Sequence, residues 1–171
     1  MSRKLLVFLG VLVLVGLTTT TVFAGRYRLN ATFALGSLIA SGDVSGLGNQ
    51  DVTLILDATG DPVVTCTNQG SNQAPGQNPS KVSATGTQFL PGNDTLRKNG
   101  KSPFDVETND PVLTAVQGGC PNNNWTATTD FVFWTAADIT VKDTAGKILT
   151  KQHYTCTTTR TPASVTCTPT N

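Results

Sequence analysis

The chain of 171 residues has a single histidine, a single glutamate and only two tryptophans, and charged side chains make up 13 % of it. Each scarcity excludes a chemistry. Ser–His–Asp catalysis needs a positioned imidazole, and His153 is the one available. It stands in "TKQHYTC" on the strand face shared by Lys151 and Thr155 and reads as a solvent-facing residue. Glycoside hydrolysis needs two carboxylates at a set separation. Asp105 and Glu107 lie at i, i+2 on one strand face, where they read as decoration of an edge strand, with a carboxylate hydrolase as the remote alternative. There is no CxxC pair, so a zinc site is not expected, nor any other cofactor.

Charge is short in another sense. No basic or acidic run breaks the near-neutral sequence, which argues against nucleic acid or an anionic membrane as partner. Long helical periodicities are absent as well. The one extended apolar run, Leu5–Leu17, has 13 residues, short of the roughly 20 that a spanning helix needs. Arg3 and Lys4 precede it and Val22-Phe23-Ala24 closes it. That is the pattern of a signal peptide at 1–24, with an uncleaved anchor as the alternative. Residue 25 is Gly rather than Cys, and Thr168–Asn171 carries neither an apolar tail nor a basic cluster, so no other anchor is expected. The leader holds two of the twelve basic residues and none of the eleven acidic ones, so residues 25–171 carry a net charge of −1. Their length suits one domain with a real core.

What is abundant is threonine, with Val, Ile and Phe, a β composition. In "RYRLNATFAL", Tyr27, Leu29, Ala31, Phe33 and Leu35 alternate with Arg28, Asn30 and Thr32, the mark of a half-buried strand. Further strands are expected at "SLIAS", "DVTLILDAT", "PVVTCTN", "KVSATGTQFL", "SPFDVET", "KILTKQHYTCTT" and "ASVTCTPT", with "GDVSGLGNQ" as a turn-rich connection. "NWTATTDFVFWTAADITVKD" fits two strands or one long bent one. Asn99-Gly100 and the Asp143–Gly146 segment carry hairpin-turn chemistry. Many short strands at close spacing indicate an all-β, antiparallel sandwich in a single domain, with an immunoglobulin-like arrangement favoured. A true immunoglobulin domain has a tryptophan between its cysteines; Trp125 follows both Cys66 and Cys120.

The four cysteines form an even set in a chain read as exported, so two disulfides are expected. Three pairings are possible. If "KILTKQHYTCTTTRTPASVTCTPT" is a hairpin bent at Thr161-Pro162, Cys156 lies opposite Cys167, close enough to bridge. Pro162 suits a two-residue loop poorly, so a loop of about four residues is expected. Cys66 then pairs with Cys120, closing a loop worth roughly 4 kcal/mol in the chain-entropy picture.

Three segments carry a resemblance. "CTNQGSNQAPGQN" from Cys66, "KNGKSPFDVET" and "GCPNNNWTATTDFVFWTAADITV" resemble a group of small exported bacterial proteins without an assigned activity. Those share a CTN-x-G-x-NQAPGQN segment and a CPN-x-NWT segment. The resemblance covers most of residues 25–171 and implies a secreted, bacterial, all-β protein; it transfers no functional residue. Asn30, Asn93 and Asn124 are glycosylation triplets that a bacterial origin would leave unused.

Candidate binding residues follow from two stretches. In "DFVFWTA" both strand faces are apolar, so the strand is either covered on both sides or presents Trp134 in an exposed patch of the kind that binds sugars or proteins. "TCTNQGSNQAPGQNPS" has no charge, and beyond Cys66 it reads as a loop of about 13 residues, unusually long for a compact domain. It is self-packed or ligand-facing, with Asn68, Gln69, Asn72, Gln73 and Gln77 as the candidate surface. Asp43, Asn49, Asp51, Asp57 and Asp61 offer oxygen to calcium, but neither segment, 43–51 or 57–61, has EF-hand spacing and they read as ordinary turn residues, with calcium as the remote alternative. The expected function is a non-catalytic secreted structural, adhesive or ligand-binding module for an extracellular protein or glycan. The alternative is an inhibitor or effector acting on another extracellular protein through its loops.

Overall fold

A computed structural model describes residues 27–170; the signal peptide expected at 1–24 lies outside them. Nine strands and no helix occur among the described residues. They are β1 (Arg28–Ala34), β2 (Ile39–Ser45), β3 (Val52–Thr67), β4 (Gln73–Pro75), β5 (Val82–Leu90), β6 (Lys101–Glu107), β7 (Thr126–Asp143), β8 (Ile148–Arg160) and β9 (Ala163–Thr170). All pairings are antiparallel. One sheet has the order β1-β2-β6. In the other, β3 pairs with β7 along its whole length, with β5 and then β4 on its opposite side, and β8 and β9 continue beyond β7.

The two sheets enclose the core. Leu54, Leu56, Ile139, Val141, Val44 and Leu38 are fully buried there, each worth roughly 1.5–3 kcal/mol of apolar burial. Phe33 of β1 meets Tyr154 of β8 edge-on at 4.9 Å between centroids, joining the sheets. Burial raises the phenol pKa of Tyr154 above its ordinary value. At one side β6 runs close to β5. There Gln88 Oε1 accepts the Asp105 N–H at 2.9 Å, and Asn109 N–H donates to Thr85 O at 3.1 Å.

β3 corrects the expectation of two strands, since Gly60-Asp61-Pro62 does not interrupt it. Val64 C=O accepts from Gly76 N–H at 2.8 Å, on the side away from β7. Pro62 shares that parity, so its missing N–H faces the gap between the start of β5 at Val82 and the end of β4 at Pro75. The even-numbered residues of β3, Val52 to Cys66, all face the core.

β7 is one strand of 18 residues, and its register against β3 shifts twice. The unpaired residues are Asp130 and Thr135. A bulge reverses which parity faces inward. Val141, Ile139 and Ala137 point into the core, then Trp134 and Val132, then Thr129 and Ala127.

Two connections differ from expectation. β2 runs on through Gly42-Asp43-Val44, and the turn begins at Gly46, with φ +89°. The β8–β9 hairpin closes in two residues rather than about four, because Arg160 pairs with Ala163. Its Thr161–Pro162 bond is cis, the geometry in which proline occupies the third position of a tight turn. Asn99 and Gly100 have φ of +54° and +72°, as a type I′ turn requires.

Trp134 stands directly opposite Gly60. A Cβ on Gly60 would lie 2.6 Å from Val132 Cγ1 and 2.7 Å from Phe133 O. Gly60→Ala should therefore cost about 1–3 kcal/mol in urea unfolding through overpacking; an unchanged midpoint would mean that β7 does not press on β3 at this point.

Candidate functional site

Both disulfides form as expected. Cys66 and Cys120 are joined with Cα atoms 5.6 Å apart, and Cys156 and Cys167 stand directly opposite on β8 and β9 and are joined likewise.

The uncharged stretch after Cys66 is a cross-braced structure rather than one long loop. β4 pairs Gln73–Pro75 with Thr65–Thr67, leaving a tight turn at 68–72. Asn68 Oδ1 accepts the N–H groups of Gly70 and Asn72, both at 2.9 Å. Asn68 N–H donates to Asn72 O at 3.0 Å. Beyond β4, Gln77 N–H donates to Gly119 O at 2.9 Å and Ser80 N–H to Gln117 O at 2.7 Å. The stretch is thus laced to the turn before Cys120, the disulfide partner of Cys66. Asn68 is committed to the turn, whereas Gln69, Asn72, Gln73 and Gln77 stand exposed.

Trp134 is not part of an exposed patch: it is 1 % exposed. Two apolar faces in "DFVFWTA" could not show which was outside; the bulge at Thr135 turns the indole inward. Phe131 and Phe133 take the other face, half-buried and edge-on to each other at 5.0 Å. The Arg160 guanidinium lies 5.9 Å from the Phe131 centroid.

The carboxylates set aside in the sequence are dispersed into separate pairs. Asp61 meets Lys81 at 2.7 Å, Asp43 meets Lys101 at 3.7 Å, and Asp57 Oδ1 accepts from Thr85 Oγ1 at 2.8 Å. Asp51 Oδ1 accepts from Gly92 N–H at 2.5 Å. Asp105 and Glu107 share the exposed face of β6, with Ser41 Oγ 3.3 Å from Asp105. His153 Nδ1 lies 2.8 Å from Asp138 Oδ1 on the solvent side. Among the described residues no three His, Cys, Asp or Glu side chains gather where they could hold a metal ion.

One cleft combines apolar walls with polar groups, and sequence reasoning missed it. The β7–β8 ladder ends at Ala136↔Thr155. Past that point the strands separate, and two β8 side chains reach across: Thr158 Oγ1 donates to Trp134 O at 3.0 Å, and Arg160 lies over the Phe131 ring. A cavity of about 520 Å³ opens beside the first half of β7, within the range of small-ligand sites. Leu35, Phe131, Val132 and Trp134 give it apolar walls, and Ala163 stands at its rim. Asp110 and Asp130 flank it. Each carboxylate is held by one hydroxyl at 2.6 Å, Asp110 Oδ1 by Ser37 Oγ and Asp130 Oδ2 by Thr65 Oγ1. Trp134 Nε1 is buried without a hydrogen-bond partner, a group that ordinarily finds one. The signal available in the sequence was the polar-apolar mixture "TTDFVFW", which encodes a bulge only once the partner strand is known.

No protein-family model, curated protein or solved structure matches the chain.

Asn68→Ala should cost about 1 kcal/mol or more, because the Gly70 and Asn72 amides lose their acceptor, and should speed hydrogen exchange at both. Gln69→Ala should change neither. Equal effects of the two substitutions would contradict the assignment of Asn68 to the turn.

Proposed function

We propose that this chain is an exported, disulfide-stapled, immunoglobulin-like sandwich that acts as an extracellular binding module and has no catalysis of its own. Strand order supports the immunoglobulin-like part: β1, β2 and β6 stand as strands A, B and E do, and β3, β7 and β8 as C, F and G. β9 is an addition, and the disulfides do not link B to F. The paired cysteines and the leader-like start favour export, and the resemblance to small exported bacterial proteins points the same way.

The observation that carries the binding role is the cleft at the β7–β8 separation. It offers a concave apolar surface and two carboxylates, each with an oxygen to spare, the composition of a ligand site rather than of a packing defect. A second reading, an inhibitor or effector docking through loops, is favoured by the laced pair of turns around Cys66–Cys120. They hold Gln69, Asn72, Gln73 and Gln77 outward on a rigid base.

The two readings separate by substitution. Partners are captured from the native secreted milieu and on a glycan array by wild type, by Ala163→Phe, which fills the cleft mouth, and by Gln69→Ala/Gln73→Ala/Gln77→Ala. Capture lost at least tenfold in Ala163→Phe alone is the expected result. Loss in the triple variant alone selects the loops, and capture by neither wild type nor variants contradicts a binding module.

A further inference from the structure

The cleft lies against an open strand edge, and the edge names the ligand class. Even-numbered residues of β3 turn their peptide groups away from β7, as the Val64 C=O bond to Gly76 N–H shows. Val132 stands opposite Pro62, and Trp134 opposite Gly60. Neither residue exchanges hydrogen bonds with β3, so their own N–H and C=O groups point to the other side of β7, toward the cleft. The Thr158 bond to Trp134 C=O confirms that direction. β8 is unpaired with β7 there, and among the described residues no backbone partner reaches the Val132 N–H or C=O. A strand edge with free peptide groups accepts an added strand.

The flanking charges select its side chains. No cation lies within 4 Å of Asp110 or Asp130 among the described residues. Asp130 is one of the two bulge residues of β7, and its side chain keeps one oxygen on Thr65 of β3. Each acid has one oxygen held by a hydroxyl and the other without a partner among the described residues. Beside them, Leu35, Phe131, Val132 and Trp134 provide apolar surface along which the methylene stem of a lysine or arginine packs.

We infer that the β7 edge from Asp130 to Trp134 takes an extended, basic peptide segment of another protein as an added strand. Its main chain pairs with Val132, its cationic side chains meet Asp110 and Asp130, and their stems lie in the cleft. The inference rests on the binding-module reading and gives that reading a partner class. A neutral sugar would use the aromatic wall but would leave both carboxylates uncompensated and the edge peptide groups unpaired.

The test uses the protein with Trp125→Phe, so that Trp134 is the single indole, and an acetylated, amidated peptide of alternating Thr and Lys. Titration should shift Trp134 emission, and raising salt should weaken binding. Three controls should each weaken it at least tenfold: the Thr-Glu counterpart, the Thr-Lys peptide N-methylated at alternate residues, and Asp110→Asn/Asp130→Asn protein. The N-methylated peptide changes no protein residue, so its result is independent of variant folding. Equal binding of the acidic or the N-methylated peptide overturns the inference, as does unaltered affinity in the double variant. If the peptide fails while Ala163→Phe still abolishes capture of a native partner or glycan, the binding module stands and the basic-strand inference falls. If neither occurs, both fall.

Discussion

The pairing of β3 with β7 governs the rest of the molecule. At about 3.3 Å per residue, the 16 residues of β3 form a ladder of roughly 50 Å, and every core-facing element is placed relative to it. β3 keeps one parity throughout, so β7 must match it over the same distance. It does so with two bulges, at Asp130 and Thr135. Without them the parity of Ala137, Ile139 and Val141 would carry Phe133 and Phe131 into the core and turn Trp134 out. Gly60 and Pro62 belong to the same arrangement: one makes room for the Val132 side chain and the backbone of Phe133 and Trp134, the other places its missing donor where no strand needs it.

The same ladder produces the cleft. A bulge increases local twist, and β7 separates from β8 next to the residue unpaired at Thr135. Beyond that point β7 still has β3 on one side, but only the Thr158 and Arg160 side chains of β8 on the other. An internal strand of the sheet thus becomes an edge strand partway along its length. Edges are ordinarily blunted or covered. Here the edge is flanked by the Leu35–Ser37 turn and by Asp110-Pro111, with a cavity between. Meanwhile Cys66–Cys120 ties the far end of β3 to the segment leading into β7, so the open stretch lies between a clamped end and a fully paired one.

Much of the fold was legible because alternation is local. β1, β5, β6 and β9 follow from their own residues, and so do the Asn99-Gly100 turn and the placement of Cys156 opposite Cys167. The reading failed where the outcome depends on a partner strand. Gly60-Asp61-Pro62 looks like a break, since glycine and proline weaken strands in isolation; it is continuous because β7 supports it and β5 and β4 leave a gap. Trp134 was named as a candidate for the right neighbourhood and the wrong surface, since two apolar faces cannot reveal a bulge. Asp110 and Asp130 were not singled out at all. Nothing in "TNDPV" or "TTDFV" marks these aspartates, and only tertiary structure sets them beside one cleft. The uncharged segment after Cys66 is long for a loop because it is not one: it is braced by β4 and by the turn before Cys120. Its middle strand escaped notice because three residues carry no period.

The central claim is that β7 changes from internal strand to open edge at the Thr135 bulge. Residue-resolved amide hydrogen exchange under native conditions tests it most directly. Phe131 and Phe133, whose peptide groups face β3, should be protected like the core of the ladder, while Val132 between them exchanges many times faster despite its buried side chain. Uniform protection of all three would mean that β7 is paired on both sides, and the open edge would not exist.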